Sequence, residues 1–156
     1  MPDVTLYEIE YDQTVDTVYD LLSLLEEYPV GCAPEDVAHW MSNWDRFRIV
    51  LAYRRGKPVG FAVVFVTPGY KEMPFDVNHV LLDVLYVRAR YRGQNIGQVL
   101  VDYVKSEYPS GFTVRTDVAD AIRFYKREGF RVLQTEPHAL ELGTTGTRLA
   151  WQPKKR

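Results

Sequence analysis

The chain has a single cysteine, Cys32, among its 156 residues, so no internal disulfide can form, as suits a reducing compartment. Long hydrophobic runs are missing as well. The longest, Phe61 to Val66, falls far short of the roughly 18 residues that indicate a membrane span. The opening Met1-Pro2-Asp3 carries neither the basic region nor the apolar core of a signal peptide. These absences give the expectation of a soluble, unprocessed, cytoplasmic protein with no membrane partner. Repeats, linkers and low-complexity segments are also lacking. His39, His79, His138 and Cys32 do not have metal-ligand spacing, so no metal is expected. The chain contains no P-loop pattern G-x-x-x-x-G-K-[ST], no dinucleotide fingerprint G-x-G-x-x-G and no G-x-S-x-G nucleophile elbow.

What is present is an ordinary globular composition, with 46% hydrophobic, 26% charged and 13% aromatic residues, which excludes disorder, collagen and coiled coil. At roughly 100 to 200 residues per domain, the length fits one domain spanning residues 1–156. The net charge of -2 gives no reason to expect nucleic acid as a partner. Its distribution is uneven: residues 1–47 hold eleven acids against the single base Arg46, a balance of -10, and residues 48–156 hold 18 bases and 10 acids, a balance of +8. Such polarity can draw a cationic ligand to one half and an anionic ligand to the other, or it can simply solvate two surfaces of opposite sign.

The hydrophobic periodicity predicts a mixed sheet with helices packed on it. Val4 to Ile9 alternates as a strand. A helix capped by Asp12 or Thr14 follows, with Val15, Val18, Tyr19, Leu22 and Leu25 at helical spacing and Pro29 as its stop. A second helix starts at Pro34 and sets Val37, Trp40, Met41 and Trp44 on one face. Arg48 to Arg54 and Val59 to Val66 read as a hairpin joined by Arg55-Gly56-Lys57. The stretch from Thr67 to Val77 reads as a loop, and Val80 to Val87 as the next strand. Then come a helix past Gly97 that ends before Pro109 and Gly111, a strand Phe112 to Thr116, and a helix Asp120 to Glu128 closed by Gly129. Strands Phe130 to Thr135 and Thr147 to Gln152 complete the order, and Lys154-Lys155-Arg156 forms a basic tail.

The segment richest in chemistry is Leu85-Tyr86-Val87-Arg88-Ala89-Arg90-Tyr91-Arg92-Gly93-Gln94-Asn95-Ile96-Gly97, in which a buried strand runs through a turn into a helix. Small residues there let main-chain N–H groups approach an anion, and the helix start adds unpaired donors and a positive dipole end. Such a turn can cradle phosphate, or it can be a plain strand-to-helix connection. Downstream lies Ala121-Ile122-Arg123-Phe124-Tyr125-Lys126-Arg127-Glu128-Gly129-Phe130. The two segments, in this order and about this far apart, resemble the GNAT superfamily of acyl-coenzyme A dependent N-acyltransferases. The first is similar to its signature [QR]-x-x-G-x-[GA], with Arg92 and Gly97 matching and Asn95 in place of the middle glycine. Asparagine tolerates left-handed backbone geometry. The second is similar to the A-x-x-F-Y-x-x-x-G-F helix, with Val118 where the family often has an asparagine. The specific part of the resemblance covers residues 80–133, and the cofactor-binding core it implies spans about 78–135.

The resemblance implies a GNAT-like α/β (α+β) fold, a mixed sheet of six to seven strands flanked by about four helices, and transfer of an acetyl group from acetyl-coenzyme A to a primary amine by direct attack. It further implies that the cofactor is held by Leu85, Tyr86, Val87, Arg92, Gly93, Gln94, Asn95, Ile96, Gly97 and Phe124, with the Leu85 N–H as oxyanion donor. Tyr125 matches the family's proton donor to the leaving sulfur, since a phenol of ordinary pKa near 10 is protonated at neutral pH yet can share its proton with a nascent thiolate of pKa about 8.5. Asp83, the only acid from Val80 to Val87, stands where many members place a carboxylate that takes the amine's proton. A lone acid in an apolar strand is costly unless paired or solvated, so a salt-bridged structural role is equally open. The acceptor, a small-molecule or peptide amine, is expected to be cationic. Oligomeric state is left open, a homodimer included. The alternative function is a non-catalytic acyl-coenzyme A binding module.

Overall fold

The β-rich runs of the sequence form β1 (Thr5–Glu8), β2 (Phe47–Arg54), β3 (Lys57–Val66), β4 (Val80–Val87), β5 (Phe112–Thr116), β6 (Arg131–Glu136) and β7 (Gly146–Trp151). The runs at helical spacing form α1 (Val15–Leu25), α2 (Pro34–Ser42), α3 (Ile96–Glu107) and α4 (Ala119–Arg127). The structure is a computed structural model that describes residues 3–9, 15–27, 34–43, 45–67, 79–116, 118–136 and 146–153. The expected caps Asp12 and Thr14, the stop at Pro29, Cys32, Trp44, the loop at 68–77, His138 and the basic tail at 154–156 lie outside those residues.

All strands join one seven-stranded sheet in the order β1-β2-β3-β4-β5-β7-β6. Neighbours are antiparallel except β4 and β5, which are parallel, so the sheet is mixed, as the periodicity predicts. The insertion of β7 between β5 and β6 is a long-range pairing that no local pattern encodes. The β2–β3 connection is tighter than expected. Lys57 already belongs to β3, which leaves only Arg55 (φ 52) and Gly56 (φ 77) as turn residues. Positive φ at both places is the type I′ geometry whose twist matches that of the flanking strands.

Each face of the sheet carries its own core. One holds Val50, Ala52, Ala62 and Val64 of β2 and β3 against Leu100, Val101 and Val104 of α3. The other holds Ile49, Leu51, Phe61 and Val63 against Leu21, Leu24, Val37 and Trp40 of α1 and α2. Strand alternation sorts the two sets, and register irregularities correct it. Between Val63 and Val64 the partner strand steps from Val84 to Leu82, so Asp83 is an extra residue and the inward parity of β4 reverses there. Val80 and Leu82 lie in the α3-side core, Val84 and Tyr86 in the α1-side core. A bulge that inserts one residue flips every later side chain to the other face.

Candidate active site at the opening beside strand β4

Strands β4 and β5 separate soon after they meet. Their pairing is limited to Leu81 with Thr113 and Leu82 with Val114, and β5 continues alongside β7 as far as Thr116. The segment Val84 to Val87 is therefore paired with β3 on one side and has no β5 partner among the described residues on the other. The alternation is set by the Arg88 N–H, which donates to the Val59 carbonyl at 2.8 Å. Counting back through the pairs Val87 with Gly60, Tyr86 with Phe61 and Leu85 with Ala62, the main chain of Tyr86 turns toward β3, and that of Leu85 and Val87 turns toward the opening.

At its end β4 passes into a 3-10 turn, Ala89–Tyr91, then through Arg92, Gly93, Gln94 and Asn95 into α3. Gly93 has φ 79, and a Cβ built there would meet nothing within 4 Å. Asn95 adopts φ 64, ψ 15, the left-handed geometry that a glycine at this place would serve. Its side chain makes no capping bond, and no acid occupies the first turn of α3. The opening N–H groups of α3 thus keep the lack of intrahelical acceptors common to helix starts, together with the positive dipole end. An anion suits both. Arg92 stands at the rim, where its Nε donates to the Val87 carbonyl at 3.0 Å and its guanidinium lies 5.6 Å from the centroid of the Tyr86 ring.

Helix α4 reaches this turn through Phe124. A Cβ on Gly97 would come within 3.5 Å of the Phe124 ring and 3.9 Å of Val87 Cγ2, so Val87, Gly97 and Phe124 meet although they come from three elements. Tyr125 is buried, at 5% exposure, with its ring edge-to-face against Phe124 at 5.2 Å and Phe130 at 5.1 Å. Asp83 is exposed at the bulge of β4, which meets the requirement that a lone strand acid be solvated. Tyr86 lies elsewhere than its neighbours Leu85 and Val87. Its ring is buried in the α1-side core, and its hydroxyl donates to the Glu27 carbonyl at 3.2 Å. Its main chain turns toward β3, unlike that of Leu85 and Val87. The side chain of Ile96 is likewise core, leaving only its main chain to the turn. Val118, at the N-cap of α4, is 56% exposed and makes no side-chain cap.

Sequence reasoning missed several groups that tie the elements together or line a cavity. The Arg88 guanidinium donates to Ser23 Oγ at 3.1 Å and sits 3.6 Å from the Glu27 carboxylate, tying the end of β4 to α1. Tyr53 donates to Asp20 at 2.7 Å and Tyr103 to Glu8 at 3.2 Å. Both phenols titrate well above the ordinary range, first because burial disfavours the phenolate and then because of the carboxylate beside each. A cavity of about 440 Å³ lies between the β2–β3 turn and the β4–α3 connection, lined by Arg54, Arg55, Lys57, Tyr91 and Gln94. The run Arg54-Arg55-Gly56-Lys57 was its only sequence signal. Among the described residues no group of three or more His, Cys, Asp or Glu is placed to hold a metal ion, and no helix is long and apolar enough to cross a membrane.

The acetyltransferase (GNAT) family matches residues 7–130. The chain belongs to that family. Solved GNAT structures share its fold. A GNAT family acetyltransferase from Elizabethkingia anophelis with acetyl-CoA bound superposes with a TM-score of 0.68 at 16% identity, covering 97% of this chain and 99% of that one. The ribosomal-protein-S18-alanine N-acetyltransferase from Escherichia coli gives 0.68 at 15%, covering 94% and 90%. An aminoglycoside 6′-N-acetyltransferase complexed with coenzyme A gives 0.69 at 20%, covering 97% and 99%. At these identities the likeness is one of fold. Among curated proteins, none matches this GNAT sequence.

Proposed function

We propose that the protein is an acetyl-coenzyme A dependent N-acetyltransferase that acts on a primary amine. The observation that carries this reading is the edge of β4 at Leu85 and Val87, which no strand pairs among the described residues, leading through the turn at 89–95 to a start of α3 without a side-chain cap. An extended amide-containing arm can add to that edge as a further strand would, with its phosphates at the helix start. The main chain from Gly93 to Gly97 and the Arg92 cation fit a pyrophosphate there. Neighbours of the same fold carry coenzyme A or acetyl-CoA, which supports the choice of cofactor.

When bound, acetyl-CoA supplies an activated thioester carbonyl. In this reading the Leu85 N–H donates to the carbonyl oxygen and stabilises the charge that gathers there. Asp83, directly or through water, takes a proton from the attacking amine, and the Tyr125 hydroxyl gives its proton to the departing sulfur. Phe124 closes the inner side of the turn against Gly97. The acceptor is a cationic amine, a choice that rests on the balance of -10 over residues 1–47. The named neighbours use acceptors as different as a protein alanine and an aminoglycoside, so the fold does not choose among them.

The test is thiol release from acetyl-CoA over a panel of amines, with product masses read by mass spectrometry. A mass gain of one acetyl group on an amine supports the reading. Tight coenzyme A binding with no acetylated product from any amine would leave the non-catalytic binding module in its place. Arg92→Glu, which sets an anion against a pyrophosphate, is expected to abolish coenzyme A binding without unfolding an exposed turn. Unchanged affinity by calorimetry would remove the cradle assignment.

A further inference from the structure

The cavity between the β2–β3 turn and the β4–α3 connection plays no part in the chemistry above. Arg54, Arg55 and Lys57 line it on one side, Tyr91 and Gln94 on the other. No acid is among the lining residues, and among the described residues none of the three cations is in an ion pair with a carboxylate. Three like charges around one space repel each other and attract an anion. The volume of about 440 Å³ is within the range typical of small-molecule pockets, roughly 300–1,000 Å³.

Two features show a site shaped for something more than a free ion. Gln94 Oε1 is buried and has no hydrogen-bond partner, and a buried acceptor without a donor is costly. Gln94 thus carries an unsatisfied acceptor within the wall of the pocket. The second feature is Arg55. It occupies a left-handed position, φ 52, where asparagine or glycine is favoured and a longer side chain adds strain. Placing an arginine at that position adds a cation to the pocket wall at a cost to the turn, a pattern that recurs where backbone strain serves binding.

Gln94 also belongs to the turn that would hold the cofactor's pyrophosphate, so the pocket shares a wall with that cradle. We infer that the pocket takes the phosphate monoester at the adenosine end of coenzyme A, the 3′-phosphate, on Arg55 and Lys57 with Arg54 behind them, and that the adenosine lies beside the Tyr91 ring. This assignment rests on the proposed cofactor role of the Gly93 to Gly97 turn.

Calorimetric titration of the full chain with coenzyme A and with dephospho-coenzyme A, which lacks only the 3′-phosphate, separates the two readings. The wild type is expected to bind coenzyme A about 10- to 100-fold more tightly, the effect of one or two hydrogen bonds to a charged group. Arg55→Asn, which relieves the turn and so leaves the fold intact, and Lys57→Ala should lower coenzyme A affinity toward that of dephospho-coenzyme A without changing the latter. Equal binding of the two ligands by the wild type, or a preference that survives in both variants, overturns the pocket assignment and leaves the cradle standing. Binding of neither ligand by the wild type overturns both. A pocket that titrates with inorganic phosphate while the two cofactors bind alike would belong to a free anion instead, and that too overturns the assignment.

Discussion

Asn95 holds φ 64 and ψ 15 at the point where β4's connection enters α3, and this one dihedral pair sets the direction of the N–H groups beyond it. Asn95→Gly is expected to keep both stability and coenzyme A affinity, because glycine adopts that geometry freely. Asn95→Val should lose roughly 1–2 kcal/mol, the cost of left-handed geometry for a residue with a branched Cβ, and should weaken coenzyme A binding about tenfold as the turn relaxes. Thermal denaturation and calorimetry on the two variants measure each effect, and equal affinities would show that the turn does not depend on this conformation. Tyr125 tests the chemistry. Its ring is enclosed by Phe124 and Phe130, so Tyr125→Phe keeps the packing and removes only the hydroxyl. Turnover is expected to fall about 10²- to 10⁴-fold with coenzyme A affinity little changed. Wild-type turnover in that variant would assign Tyr125 to packing alone.

Strand β4 does its work through its spacing from β3 and its separation from β5. Gly60 of β3 makes that spacing possible, since a Cβ there would lie 2.6 Å from the Tyr86 carbonyl oxygen and 3.4 Å from Val87 Cα. Gly60→Ala should therefore push the end of β4 outward, cost about 1–3 kcal/mol as overpacking does, and weaken coenzyme A binding through the displaced Val87; urea denaturation and calorimetry check the two parts. Elsewhere the helices are tied to strands by phenol–carboxylate bonds, Tyr53 of β2 to Asp20 of α1 and Tyr103 of α3 to Glu8 of β1. Both folded phenols titrate above the ordinary range, and an unfolded tyrosine releases its proton near pH 10. Above that pH the folded chain holds more protons than the unfolded one, so stability present below pH 10 is lost as pH rises. The Tyr53→Phe, Tyr103→Phe double variant should show a shallower fall of denaturation midpoint above pH 10 than the wild type, and parallel slopes would count against this linkage.

Across the whole molecule, the acidic first third supplies α1 and α2 on one face of the sheet, and the basic remainder supplies the turn and hairpin at the end of β4. A field of that polarity concentrates protonated amines and an anionic cofactor at different places. Because it acts at long range it is screened, with a Debye length that falls from about 30 Å at 0.01 M salt to 10 Å at 0.1 M. The apparent second-order rate constant for a polyamine acceptor should therefore drop as salt rises, and much less so for a neutral-bodied amine of similar size. Steady-state kinetics over a salt series measures this. Salt-insensitive rates, or preference for an acceptor with a carboxylate close to its amine, would remove the electrostatic reading of the acceptor and leave acetyl transfer untouched.

The sequence by itself determined the order of strands and helices, because alternation and helical spacing are local properties of consecutive residues. It also determined the two segments around Arg92 to Gly97 and Ala121 to Phe130, and it allowed the left-handed conformation that the structure shows at Asn95, since asparagine is one of the few residues that tolerates it. Tertiary structure decided the rest. The bulge at Asp83 inverts which side chains of β4 face each core, and its position depends on register against β3, which no single strand encodes. The same alternation separates Leu85 and Val87 from Tyr86, three residues that look equivalent in a row of apolar letters. The parting of β4 from β5 and the placing of β7 between β5 and β6 are long-range pairings between distant parts of the chain. The pocket of Arg54, Arg55, Lys57, Tyr91 and Gln94 arises only when a hairpin turn and a helix start from opposite sides of β3 are brought to the same end of the sheet.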